Sequence, residues 1–513
     1  MNKDDLLDAV VIGSGIGGLV TASQLASKGA KVLVLERYTI PGGSGGSFSR
    51  NGYTFDVGAS MIFGFGEKGF TNLLTRALSA VDEACETFPD PSQLVYHLPS
   101  GFELEVSRNY EIFISNLIQR FPHEEDGIRK FYGICWSVFN CLDSMPLLSI
   151  EDPLYLAKVF FKAPLACLGL ARWLPVNVGD VARRFIKDQV LLRFIDIECF
   201  CWSVMPADRT PMINAGMVFS DRHAGGINYP KGGVGVIAEK LVKGLRAHGG
   251  EIRYKSRVKK IIIEGKKARG VQLSDGEIIY AKKIVSNATR WNTFGGEKVR
   301  NSLVEESQIP KSEISWRRNY KPSSSFLSLH LGVQKSLIPD DFQCHHILLD
   351  SWKEMDAEQG VAFVSIPTLL DSELAPDNSH IVHAFTPSSM EFWTDLSPSD
   401  YSAKKQQDAS TLISRLEKIL PGITNSIVHK EIGSPRSHRR FLGRHQGSYG
   451  PIPSRKLSGL LPMPFNTTGV KDLFCVGDSC FPGQGLNAVA FSGFACAHRI
   501  GSELGINAWN LPT

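Results

Sequence analysis

Gly13-Ser14-Gly15-Ile16-Gly17-Gly18 is a G-x-G-x-x-G run. In such a run the first glycine makes a tight turn, the second lets the backbone approach a pyrophosphate, and the third lets a helix pack closely. Residues 8–13 carry the apolar series Ala9, Val10, Val11, Ile12 and read as a buried strand. Residues 16–28 read as a helix with Leu19, Val20, Ala22 and Leu25 turned inward and Gly29 as its stop, and residues 31–36 as the next strand. Glu36 ends that strand, where a carboxylate holds ribose hydroxyls. The helix start supplies N–H groups and partial positive charge for phosphate. This context predicts dinucleotide binding.

Two further segments carry the same chemistry. Pro41-Gly42-Gly43-Ser44-Gly45-Gly46 lacks bulky side chains, so its backbone can lie against a flat ring or a phosphate. Gly477-Asp478 and then Pro482-Gly483-Gln484-Gly485-Leu486-Asn487 again place a carboxylate and a glycine turn at a strand-to-helix junction. Asp478 suits the hydroxyls of a polyol, and a helix beginning near Asn487 suits negative charge on a reduced ring. Three segments therefore point to one extended cofactor. Gly232-Gly233-Val234-Gly235 precedes a helix but lacks the spacing and the acidic strand end, so no separate nicotinamide domain is expected.

Other clusters carry less. His345-His346 and His380-x-x-His383 fall in expected strands, where such spacing does not converge on a metal, and no metal site is expected. Arg436, His438, Arg439, Arg440, Arg444 and His445 form a basic run without the aromatic interleaving of nucleic-acid binders; a solvated face or contact with anionic lipid headgroups fits it better. Asp221-Arg222-His223 reads as a structural salt bridge at a turn, with an acid–base group as the alternative. No catalytic residue emerges.

The elements that must position these residues follow from periodicity. Residues 110–200 are rich in helical patterns broken at Pro122, Pro146, Pro153, Pro164 and Pro175, and residues 251–288 read as a β meander returning to a buried strand. Strands are expected at 323–333, 345–349, 361–366 and 380–385, a helix at 402–420, a strand at 473–476 and a helix at 487–504. Within 323–333, Leu327, Leu329 and Leu331 share one face and Ser328 and His330 the other. In residues 155–176 and the Leu154 before them, Lys158 and Lys162 share one helical face while Leu154, Phe161, Leu165 and Leu168 recur on another, the pattern of an interfacial amphipathic segment or of a packed helix pair.

The chain has 513 residues, 43% of them hydrophobic, and a formal charge of +4, which excludes a small module, a disordered chain and a dedicated nucleic-acid binder. Ten cysteines without a Cys-x-x-Cys fit a reducing compartment. Residues 1–8 are polar and run directly into a strand pattern, so no targeting peptide is expected in this chain.

The three glycine segments, together with Phe55-Asp56-Val57-Gly58-Ala59-Ser60, Tyr229-Pro230-Lys231-Gly232-Gly233, Ser286-Asn287-Ala288-Thr289-Arg290-Trp291, Phe121-Pro122-His123-Glu124 and Met212-Ile213-Asn214-Ala215, resemble the carotenoid isomerases of the phytoene-desaturase-like flavoproteins. The resemblance covers nearly the whole chain. It implies an α/β fold, with a doubly wound, Rossmann-type FAD-binding domain at 1–75, 215–300 and 455–513. A β-sheet substrate domain at 76–110 and 301–454 and a helical, membrane-contacting insertion at 111–214 complete it. FAD would be held by Gly13, Gly15, Ile16, Gly17, Gly18, Glu36 and Arg37, by Gly42, Gly43, Ser44 and Ala59, and by Val258 near the adenine. Asn287, Gly477 and Asp478 would continue the cradle, with Gly485, Leu486 and Asn487 close to the isoalloxazine.

The implied reaction is conversion of poly-cis lycopene to the all-trans form by the reduced flavin, at a plastid or cyanobacterial membrane, with an unidentified external electron donor. A redox cofactor suits a redox-neutral isomerisation because rotation about a double bond requires its bond order to fall transiently. A carotene desaturase or saturase, and a non-catalytic carotenoid carrier, are the alternatives.

Overall fold

The computed structural model describes residues 6–66, 72–145, 149–296, 302–453 and 463–506. Pro146, residues 1–5 and parts of 455–513 lie outside the described residues.

One seven-stranded sheet runs in the order Val258–Glu264, Lys267–Leu273, Ile278–Ser286, Leu7–Ile12, Val32–Leu35, Glu251–Arg253, with Leu473–Cys475 beside Ile278–Ser286. The pairs around Leu7–Ile12 are parallel, and the two strands of the meander join antiparallel. The last strand of the meander and the buried strand it returns to are one, Ile278–Ser286: its first part pairs with the meander and its second with Leu7–Ile12. Ala9–Ile12 and all of Val32–Leu35 are buried, as a parallel sheet covered on both faces requires.

Every residue of the helix Ile16–Ala26 is buried. It packs on Leu486–Leu504 through small residues: a side chain at Gly493 would begin 2.7 Å from the Gly17 carbonyl oxygen. Thr21 ties the two helices by donating to the carbonyls of Gly17 and Gly493.

A second seven-stranded sheet has the order Ile427–Gly433, Ser325–Gln334, Ser379–Ser388, Val361–Ser365, His345–Leu349, Leu94–Leu98, Phe102–Val106. Its alternation is the expected one. Leu327, Leu329 and Leu331 pack with Trp393, Leu412 and Leu416 under the helix Pro398–Leu416, while Ser328 and His330 turn to the opposite face. That helix starts earlier than its apolar pattern because Ser397 caps it, accepting from the Asp400 N–H.

A helical layer covers the far end of this sheet: Tyr110–Arg120, Glu125–Asp143, Val178–Phe185, Gln189–Ser203 and Met212–Ala224. Asp221-Arg222-His223 lies inside the last helix and not at a turn. The Arg222 partner is Glu198 on Gln189–Ser203, met by both guanidinium ends at 2.7 and 3.3 Å. Tyr96 and Tyr132 also donate to Glu198 at 3.2 Å each. Burial opposes the charge on Arg222, yet Glu198 raises its pKa above the ordinary value. The 155–176 segment is two helices, Pro153–Lys162 and Pro164–Ala171, bent by 109° at Ala163, because Pro164 denies the first helix its next backbone donor.

Candidate functional site

The three glycine segments meet along one cavity of about 1770 Å³, larger than the roughly 300–1,000 Å³ of a small-molecule pocket. Gly13, Gly15, Ile16, Gly17, Glu36, Arg37, Gly42, Gly43, Ser44 and Ala59 line it, as do Val258, Asn287, Gly477, Asp478, Gly485, Leu486 and Asn487. Gly18 stands behind the wall. A Cβ there would lie 2.5 Å from the Gly13 carbonyl oxygen and 3.0 Å from Asn287 Cβ, so it serves the close packing expected of the third glycine.

Glu36 is 8% exposed and fixed in place: its Oε2 accepts from the Ser14 N–H at 2.8 Å and the Ser14 hydroxyl at 2.7 Å, and its Oε1 from the Tyr38 N–H at 2.7 Å. Asp478 lines the same groove and is joined to Arg444. Arg37 reaches the Arg440 carbonyl, and Tyr38 meets Phe441 edge to face. The basic run expected as one surface is thus divided: His438 and His445 are buried, Arg444 holds Asp478, and Arg439 and Arg440 are exposed.

Beyond the cradle the same cavity is walled by Phe48, Phe326, Phe363, Phe385, Trp202 and Tyr449. His330, His346, His383 and His438 interrupt this wall. Burial lowers the pKa of each: His330 to about 4, His346 and His438 to about 3, and His383, also beside His330 and His438, well below its ordinary value. All four are neutral near pH 7.

Asp56 was not among the expected site residues, yet three motifs converge on it. Its carboxylate accepts from Ser47, from the Val234 N–H at 2.9 Å and from the Tyr229 hydroxyl at 2.8 Å. Burial raises its pKa against these hydrogen bonds. It clamps the strand Tyr53–Asp56 to the loop before Gly235–Ala247 and so holds the Val57–Ser60 stretch at the cavity.

His345 and His346 point to opposite sides of their strand; His346 lines the cavity, whereas His345 lies with Asp90 and Cys344 in a buried group whose potential ligand atoms are within 4.8 Å of one another. Spacing within the histidine pairs did not reveal this group, which three ligands leave one short of a closed zinc shell.

Residues 16–500 match the family of flavin-containing amine oxidoreductases. The prolycopene isomerase of Daucus carota is 56% identical over 501 residues, 97% of this chain and 80% of the relative. That of Arabidopsis thaliana is 54% identical over 505 residues, 98% of this chain and 84% of the relative. The chain belongs to the prolycopene isomerase family. An oxidoreductase from Methanosarcina mazei shares the fold, with a TM-score of 0.63 at 20% identity over 96% of this chain and all of that one.

A flavin is therefore the cofactor of this prolycopene isomerase family member, and the cradle fits one. Gly15 admits no side chain against Asn287, and Ser44 Oγ and Asn487 Oδ1 are buried along it without a partner. Orphaned polar atoms in a groove of bare backbone suit a ligand rich in ring and phosphate acceptors and donors.

Proposed function

We propose that the flavin is FAD and that the protein converts poly-cis lycopene to the all-trans form without net redox change. The observation that carries this reading is the continuity of one cavity, with a dinucleotide cradle at one end and an aromatic wall at the other. A long hydrocarbon needs such a wall, and it needs to lie against the flavin ring.

Gly13–Gly18 and the helix start would hold the pyrophosphate, Glu36 the adenosine ribose, Val258 the adenine edge through its backbone, and Asp478 the ribitol, released to it from Arg444. Bound reduced flavin supplies electron density that lowers the order of the bond to be rotated. The chain does the rest. Phe326, Phe363 and Phe385 align the polyene and exclude water. The neutral histidines place no fixed charge beside it.

Among the described residues no single helix is long and apolar enough to cross a membrane, and the bent pair Pro153–Lys162 and Pro164–Ala171 passes only when taken together. Its outer side is apolar: Leu154, Phe161, Leu165 and Leu168 are 78%, 81%, 83% and 60% exposed. Lys158 and Lys162 are exposed beside them. This hairpin supports peripheral contact with a plastid membrane, where lipid-dissolved substrate enters and leaves. The reading is tested by releasing the cofactor for identification and by giving the protein tetra-cis lycopene in liposomes. FAD and an all-trans product of unchanged mass are expected; a product lighter or heavier than the substrate contradicts it.

A further inference from the structure

The aromatic wall contains polar atoms that a hydrocarbon leaves unsatisfied. Ser328 and His330 come from the strand Ser325–Gln334, His383 from Ser379–Ser388 and His438 from the helix Pro435–Leu442. Strand register places His330 directly opposite His383, and their rings stack with centroids 4.6 Å apart.

Each ring is anchored through one nitrogen. His330 Nε2 donates to the Asp56 carbonyl at 3.0 Å, His383 Nδ1 lies 3.3 Å from Ser60 Oγ, and His438 Nδ1 lies 3.1 Å from the Tyr449 hydroxyl. The remaining nitrogens of His383 and His438 are buried without a partner, and so is the hydroxyl of Ser328. These three residues are 1%, 7% and 2% exposed. Gly433 leaves room for the Ser328 hydroxyl, which a Cβ there would meet at 2.3 Å, and the same point lies 3.7 Å from His438 Nε2.

We propose that His383 Nε2, His438 Nε2 and Ser328 Oγ form a subsite for one ligand oxygen, so that the cavity takes a polyene bearing a hydroxyl or carbonyl as well as a hydrocarbon. This rests on reading the cavity as a polyene site. Leaving three buried polar atoms unpaired is unfavourable, and they lie on a wall made largely of aromatic side chains. A neutral imidazole donates from one nitrogen and accepts at the other, and a serine hydroxyl does both, which matches an alcohol and also serves a ketone. Of the charged groups on this side of the cavity, Asp56 is held by Ser47, Tyr229 and Val234, while Glu431, opposite His330 in the strand pair, and Arg444 also line the wall.

The test uses the flavin-loaded protein in detergent and two linear polyenes of equal carbon number and conjugation, one a hydrocarbon and one carrying a single terminal hydroxyl. Binding is read by quenching of tryptophan fluorescence. The hydroxylated polyene should bind about five- to tenfold tighter, the worth of one net hydrogen bond. Ser328→Ala and His438→Leu should each bring the ratio of the two affinities, measured on the same variant, near one, and His438→Gln should restore part of it. Equal or weaker binding of the hydroxylated polyene, with the hydrocarbon bound normally, overturns the subsite and leaves a water or the flavin as its occupant. If neither polyene binds, the polyene reading itself fails and the subsite with it.

Discussion

Asn287 stands directly against Gly15: a side chain at Gly15 would begin 2.5 Å from the Asn287 amide nitrogen. The Asn287 N–H donates to the Ile12 carbonyl at 2.9 Å and its Cβ abuts Gly18, so its backbone is held and the amide end would have to turn away from a side chain at position 15. The strand end and the glycine turn thus pack most closely when position 15 is bare.

Gly15→Val should therefore yield folded protein without flavin. Overpacking of this kind costs about 1–3 kcal/mol, and visible absorbance per mole of purified protein should fall to near zero. Full flavin content in the variant would mean that the turn is not the pyrophosphate site. Polyene binding should survive if the flavin is catalytic and not structural.

Removing one partner of the Glu198–Arg222 pair should destabilise the helical layer severely. Both side chains are essentially inaccessible to solvent, and a buried charge left alone costs about 3–5 kcal/mol. Glu198→Gln or Arg222→Met should lower the urea midpoint accordingly. The pair replaced together by apolar residues should recover part of the loss; equal effects of single and double variants would contradict the pairing.

Acid should weaken the fold through the cavity histidines. His330, His346 and His438 have folded pKa values near 4, 3 and 3, below the roughly 6.5 of an unfolded chain. Below pH 6.5 the unfolded state binds protons that the folded state refuses, so stability is fully present above that pH and falls towards pH 3–4. Asp56, its pKa raised by burial, acts in the opposite sense. Chemical denaturation between pH 7 and 4.5 should show a loss of several kcal/mol, and His330→Phe should reduce the slope. A flat profile would mean that these rings are solvated.

The local grammar of the chain was legible before the structure. The G-x-G-x-x-G turn, Glu36 and the alternation of Leu327, Leu329 and Leu331 are patterns of near neighbours, and each falls where periodicity puts it. What escaped was long-range. His330 and His383 meet through an antiparallel register 53 positions apart, Arg222 finds Glu198 across two helices, and Asp56 gathers Ser47, Tyr229 and Val234. Residue types alone do not encode such meetings. The Asp221-Arg222-His223 run suggested a local bridge because its charges are adjacent, but successive helical residues point in different directions.

The bent hairpin makes a separable claim. Lys158 and Lys162 changed together to Glu, or Phe161 and Leu165 changed to Ser, should each reduce flotation with anionic liposomes severalfold while leaving flavin content intact. Unchanged flotation in both would remove this surface from the account.

The most direct measurement is an anaerobic incubation of the purified protein with liposomal tetra-cis lycopene, the flavin oxidised in one arm and reduced in the other, with products read by chromatography and mass. All-trans lycopene at unchanged mass in the reduced arm alone is the expected result. A change of mass, or equal conversion in both arms, would contradict redox-neutral isomerisation by reduced flavin.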